Sequence, residues 1–241
     1  MLRARATALV IVLACMIWPT RNARTDDGSV QTVGGAVRLM QEEGDIRMVS
    51  ERVVARVASD MIEVDCTFVM KNEGPADTVL MGFPDGSLNR YSHDHAMQSF
   101  RSWVDGVEVK CRRVADANAM PDDPDAPSWW IKPVPFPRGA TRSIRDRYRV
   151  APSFHPLSGT SEFRYELWTG ASWKGPIGSA DIVATIDDPP LRWVVETEPE
   201  SRKAGNTHRW SFHDFEPGSE EGSPAAVVVQ WREPAKTGGA E

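Results

Sequence analysis

The chain has 241 residues, with 28 lysines and arginines against 34 aspartates and glutamates, a formal net charge of −6 and 41% hydrophobic residues. That balance excludes a disordered polyelectrolyte and argues against nucleic-acid binding through bulk charge, and no polybasic run offers a local exception. Eighteen prolines and eighteen glycines are more punctuation than a helical protein of this length carries, so the expected class is all-β.

At the N-terminus, Arg3 and Arg5 precede an apolar run from Ala6 to Pro19, too short to span a bilayer as a helix and suited to a signal-peptide core. The expected localisation is therefore extracytoplasmic: secreted, periplasmic or envelope-anchored. Residues 1–24 have three open fates: cleavage near Ala23, lipid attachment at Cys15 within Val-Leu-Ala-Cys, or retention as a short anchor. Contact with a membrane is expected only through this segment, if it is retained. Removing it deletes four arginines and no acid, which moves the formal charge from −6 to −10.

The segments Ile46 to Asp60 and Met61 to Asn72 alternate as two half-buried strands of a hairpin turning at Ser59-Asp60. Thr78 to Phe83 reads as a short strand stopped by Pro84 and Gly86, followed by a polar loop over 85–98. Phe100 to Val104 and Val107 to Val114 flank Asp105-Gly106, a pair that readily takes the left-handed angles of a two-residue hairpin turn. Residues 115–127 are acidic and proline-punctuated. Trp129 to Pro135 suits an edge strand, because Pro133 and Pro135 cannot donate to a sheet interior. Thr141 to Val150 is the next strand, and Ala151 to Gly159 is a connector.

Beyond the connector, Glu162 to Ile186 reads as strand, glycine-and-proline turn, strand, and further strands are expected near 191–197, 206–212 and 225–231. The expected fold is an antiparallel β-sandwich with little helix, built as one elongated domain or two lobes. In the two-lobed case the lobes are 30–150 and 151–233, with a disordered tail over 234–241.

Val33-Gly34-Gly35, Asp45-Ile46-Arg47-Met48-Val49-Ser50-Glu51, Phe68-Val69-Met70-Lys71-Asn72 and Met81-Gly82-Phe83-Pro84 together resemble the opening of a family of exported bacterial proteins, a domain of unknown function. Tyr165-x-Leu167-x-Thr169-Gly170-Ala171-x-Trp173-x-Gly175-Pro176-Ile177-Gly178 resembles a later segment of the same family. The resemblance runs over most of residues 30–232. The same order of strands and turns, with Val104-Asp105-Gly106 and Pro137-x-Gly139, is distantly similar to the vault-and-inter-α-trypsin β-sandwich domain of secreted proteins. The family resemblance implies an exported β-rich fold and brings no established activity or catalytic residues.

Candidate chemistry is sparse. His93 and His95 form a His-x-His pair that could present two imidazoles to a metal, but His155, His208 and His213 have no spacing that completes a site, so no metal or other cofactor is expected. Asp116, Asp122, Asp123 and Asp125 lack the glycine-turned spacing of a calcium loop. Ser172 sits one residue out of register for a Gly-x-Ser-x-Gly elbow. Cys66 and Cys111 each alternate with apolar neighbours on a strand, which suits either a disulfide across the core or two buried thiols. Trp129, Trp130, Trp168 and Trp173 are the candidate binding residues, since flat rings at a sheet edge or turn can anchor a partner. Trp129 and Trp130 are adjacent on a strand and should face opposite ways. The expected function is a non-enzymatic exported protein that binds a protein or cell-envelope component. The alternative is an envelope polysaccharide hydrolase, which would need two carboxylates facing each other across a cleft.

Overall fold

The computed structural model describes residues 35, 38–40, 44–87, 97–115, 127–187, 194–218 and 223–232. Strand alternation along these segments builds two layers. One layer is a single eight-stranded sheet whose members are β2 (Ile46–Val57), β3 (Ile62–Asn72), β5 (Ser99–Val104), β6 (Val107–Val109), β9 (Thr141–Val150), β12 (Ile177–Ile186), β14 (Arg202–Ala204) and β15 (Thr207–Phe215). Their order across the sheet is β14-β15-β12-β2-β3-β9-β5-β6. Two four-stranded sheets cover its inner face. The first runs β1-β4-β8-β7, from β1 (Arg38–Leu39), β4 (Asp77–Ser87), β7 (Arg112–Ala115) and β8 (Pro127–Phe136). The second runs β10-β11-β16-β13, from β10 (Ser153–His155), β11 (Thr160–Glu166), β13 (Val194–Glu198) and β16 (Ala226–Arg232). The fold is all-β, and every named strand pair is antiparallel except β2 with β12.

One apolar core joins the three sheets, with Phe68, Phe83, Tyr148, Tyr165, Phe163 and Trp231 among its fully enclosed members. Phe83 stands 5.2 Å from both Phe100 and Tyr148, so the first small sheet and the large sheet meet through tilted aromatic rings. Below the second small sheet, Val227, Val229 and Trp231 of β16 fill the space against the large sheet.

Several local expectations meet the structure directly. β9 has the bounds read from its alternation, and Asp105 and Gly106 turn the β5–β6 hairpin with φ of 50° and 80°. Others are corrected. The strand expected over 107–114 is two: β6 stays in the large sheet and β7 pairs with β8, because the chain changes layer at Lys110-Cys111. The stop expected at Pro84 does not occur, since a bulge between Pro84 and Gly86 lets β4 continue to Ser87. β8 is an interior strand, yet β7 reaches only Ser128 to Ile131, which leaves Pro133 and Pro135 on the stretch of β8 where that side is an open edge.

The hairpin expected over Glu162 to Ile186 is also corrected. β11 pairs with β16 in the second small sheet, whereas β12 pairs with β2 and β15 in the large one. The segment is an arch between layers, turned by a 3-10 helix at Trp168–Ser172. The expected 151–159 connector contains β10, which belongs to the second small sheet, and the large sheet draws strands from both sides of it.

Two glycines are required by close backbone approach. A Cβ on Gly178 would meet the Val49 carbonyl oxygen at 2.5 Å, and one on Gly35 would meet the Glu166 carbonyl oxygen at 2.6 Å. The first contact belongs to a bulge in β2 between Met48 and Ser50. Ahead of it Ile46 and Met48 point inward, and beyond it Glu51, Val53, Ala55 and Val57 do. The bulge thus reverses the parity of the strand and places a carboxylate in the core.

Candidate functional site

The four tryptophans singled out in the sequence occupy three environments. Trp129 is buried and carries the Arg38 guanidinium over its ring at 5.4 Å; Trp168, 41% exposed, shares the same guanidinium at 5.9 Å. Arg38 therefore links the first small sheet to the 3-10 turn that leads into β12. That turn is held by Leu39 N–H donating to the Ser172 hydroxyl at 2.8 Å and by Ser172 donating to the Thr169 carbonyl at 3.0 Å. Trp130 faces the other way from Trp129 and stacks on Phe100 at 5.4 Å with 10° between planes. Trp173 is enclosed in the core. Only Trp168 of the four is substantially open to solvent.

Neither cysteine is bonded. Cys66 is a buried free thiol, and Cys111 is a half-buried free thiol where the chain leaves β6 for β7, so the cross-core disulfide is not formed. Burial is the first cause that raises the pKa of each above its ordinary value. Cys15, His93 and His95 lie outside the described residues, as do the acidic stretch 116–126 and the N-terminal segment.

A fifth tryptophan, not singled out in the sequence, is half-buried among charged groups. Trp103 lies on β5 on the outward face of the large sheet, near its edge. Its ring has the Arg101 guanidinium at 5.0 Å and the Arg145 guanidinium at 5.4 Å. The register explains the cluster: Trp103 is opposite Arg145, and Arg101 is opposite Arg147, a like-charge pair directly across two strands. Arg149 continues the row one alternation further along β9.

Acids from neighbouring strands partly neutralise the row. Glu108 accepts from Arg101 at 2.9 and 2.6 Å, and Glu63 lies 3.2 Å from Arg149. Asp65 is shared between Arg145 at 2.9 Å and Arg147 at 3.3 Å. Among the described residues, four guanidinium groups thus face three carboxylates. The Arg101 bond holds Glu108 below the ordinary carboxylate range, and Glu108 in turn raises Arg101; both are solvent-exposed, so the pair orients the arginine more than it stabilises the fold. Alternation in Thr141 to Val150 carries the signal that sets Arg145, Arg147 and Arg149 on one face, although the sequence reading did not single them out. The missing signal was the β5–β9 pairing, which no local pattern encodes.

The buried carboxylates are each tied to a partner. Asp146 receives both of its bonds from Lys132 Nζ, at 2.6 and 2.8 Å, across the two layers. Asp85 is held by Arg113, by Met97 N–H at 3.1 Å and by the Ser128 hydroxyl at 3.3 Å, with burial the main cause that raises its pKa and Arg113 the main opposing one. Glu162 accepts from Gln230 at 2.6 Å, and Glu166 pairs with Arg164. Glu51 accepts a 2.6 Å bond from the Tyr165 hydroxyl; burial raises its pKa to about 7. A polar cavity of about 320 Å³ lies at the end of β3 and β4, lined by Gly44, Asp45, Ile46, Asn72, Pro75 and Asp77 among others. Its buried amide, Asn72, is already committed to three carbonyls.

No family model matches this chain, and no curated protein matches it. Among solved structures it is similar to a candidate nutrient-binding protein from Legionella pneumophila, with a TM-score of 0.62 and 19% identity over 85% of this chain and 72% of that one. It also aligns with an M1 zinc metallopeptidase from Deinococcus radiodurans, with a TM-score of 0.41 and 14% identity over 79% of this chain and 43% of the enzyme. At these identities it is the fold that the Legionella likeness shows: an all-β sandwich shared over most of the chain.

Proposed function

We propose that this chain is an exported, non-enzymatic binding protein, and that it contacts a protein or cell-envelope component bearing acidic groups through the Trp103 face of its large sheet. The observation that carries the reading is the row Arg101, Arg145, Arg147 and Arg149 around Trp103, in a chain whose formal charge is −6. Placing Arg101 opposite Arg147 costs stability, and Asp65 cannot satisfy two guanidinium groups fully, so this face holds spare planar donors suited to carboxylate or phosphate. Trp103 and these arginines lie on the outward side of strands rather than in an enclosed cavity, which suits an extended or macromolecular partner better than a small enclosed ligand. The Legionella neighbour is itself described as a candidate binding protein, which supports a binding role for the shared fold. Export rests on Arg3, Arg5 and the apolar run that follows.

The test is co-sedimentation of the full chain with cell-envelope material, alongside Trp103→Ala and Arg147→Glu. Each variant should keep its melting temperature within a few degrees and lose about tenfold or more in retention, the size expected for an interface anchor. Retention of the native protein should also weaken with added salt. If no envelope fraction retains the native protein, or both variants are retained equally well, the reading fails.

A further inference from the structure

Glu51 sits in the middle of β2 with Phe68 opposite on β3 and Ala180 opposite on β12, and is only 1% exposed. The Tyr165 hydroxyl that donates to it at 2.6 Å belongs to β11, so this bond crosses from the large sheet to the second small sheet. Among the described residues the other carboxyl oxygen, Oε2, has no hydrogen-bond partner, and neither does the buried Tyr148 hydroxyl on β9. The titratable groups coupled to Glu51 are the Cys66 thiol of β3, which Tyr165 also reaches, Tyr165 itself and Tyr148 of β9; Asp146 of β9 and Asp65 of β3 act in turn on Cys66. The nearby cation, Lys132 of β8, gives two bonds to Asp146. Among the described residues no ion pair includes Glu51. A neutral carboxyl is tolerated in this place; a carboxylate is not.

We propose that Glu51 is a proton-operated latch between the layers: protonated, it lets the second small sheet close over β2 and β3, and ionised, it favours lifting that sheet so that water reaches the carboxylate. The direction follows from linkage. A carboxyl that keeps its proton to about pH 7 when covered, and only to about 4.5 when solvated, contributes closure that is complete below about 4.5 and is lost as the pH rises through about 7. Desolvation is the leading cause and the Tyr165 bond opposes it. The protein is tightest in mildly acidic surroundings.

Cys66 reports the latch, because its thiol is fully buried under the same seam. Full-length protein is treated with N-ethylmaleimide at about pH 5.5 and about pH 8, and modification of Cys66 is followed by mass spectrometry against an unstructured cysteine peptide at the same pH. Protection relative to that peptide should fall about 25-fold between the two conditions. Glu51→Gln keeps an acceptor for Tyr165 and cannot ionise, so its protection should change less than about twofold. Should that variant fail to fold, Tyr165→Phe serves instead: the carboxylate loses its donor, so the fall steepens beyond that of the wild type. Wild-type protection that is flat, a Glu51→Gln slope equal to wild type, or a shallower slope in Tyr165→Phe overturns the proposal.

Discussion

Lys132→Met is the substitution whose outcome is most constrained by the geometry. Lys132 Nζ donates to both oxygens of Asp146 at 2.6 and 2.8 Å, and the two side chains are 1% and 0% exposed. Water therefore offers the carboxylate no replacement. The groups facing Asp146 on its own sheet are Cys66 on β3 and Ser102 on β5. Neither is a cation. Truncating one partner of a fully buried ion pair leaves an uncompensated charge, and the loss expected is about 3–5 kcal/mol. Urea unfolding followed by tryptophan fluorescence measures it: with a slope of about 2–3 kcal/mol per molar, the midpoint should drop by about 1–2.5 M without a change of slope. The double change Lys132→Met with Asp146→Leu should return most of the loss, because a well-packed apolar pair in place of a buried ion pair is close to neutral. A single variant within about 1 kcal/mol of wild type, or a double variant no better than the single, would refute the assignment of a tightly coupled, water-free pair.

The tryptophans separate by burial. Trp173→Ala should cost about 3–5 kcal/mol in thermal or urea unfolding, whereas Trp168→Ala, at a site 41% exposed, should cost about 1 kcal/mol or less. Gly178→Ala should destabilise by about 1–3 kcal/mol, since its new methyl group meets backbone at 2.5 Å, and a neutral result would mean that the β2 bulge yields easily. Replacement of Trp103 or Arg147 is expected to act on retention by envelope material rather than on melting temperature, and the Glu51 substitutions on the pH dependence of Cys66 protection.

Much of the fold was legible locally. β9 was read with its own bounds, and β2 and β3 were read as a hairpin, because alternation of period two is enforced wherever one face of a sheet is buried. Asp105-Gly106 turned as its chemistry demands. The arch at Trp168–Ser172 was not legible, because a strand-turn-strand pattern says nothing about whether its arms pair with each other or with distant strands. Glu51 left a trace that alternation alone passes over: the apolar parity of β2 changes from Ile46 and Met48 to Val53, Ala55 and Val57. Such a change of phase is the mark of a bulge, and it puts the intervening glutamate inside. Two landmarks of the family resemblance meet there, Glu51 closing one and Tyr165 opening another. At the outward face, the arginines of β9 were legible as a row, and their convergence on Trp103 was not, since it depends on which strand lies beside β9.

The parallel pairing of β2 with β12 sets an order of assembly. Ser50 lies beside Ser179, so one long edge of β2 has no neighbour until most of the chain has been synthesised. Hairpins such as β2–β3 and β5–β6 can form early, but closing the loop between β2 and β12 must await the arch, and such distant contacts make folding slow. During that interval β2 offers an open backbone edge to any passing strand. A chain cut short before Ile177 would keep that edge permanently, and so should be found in aggregates or held by chaperones rather than as a half-sized soluble domain.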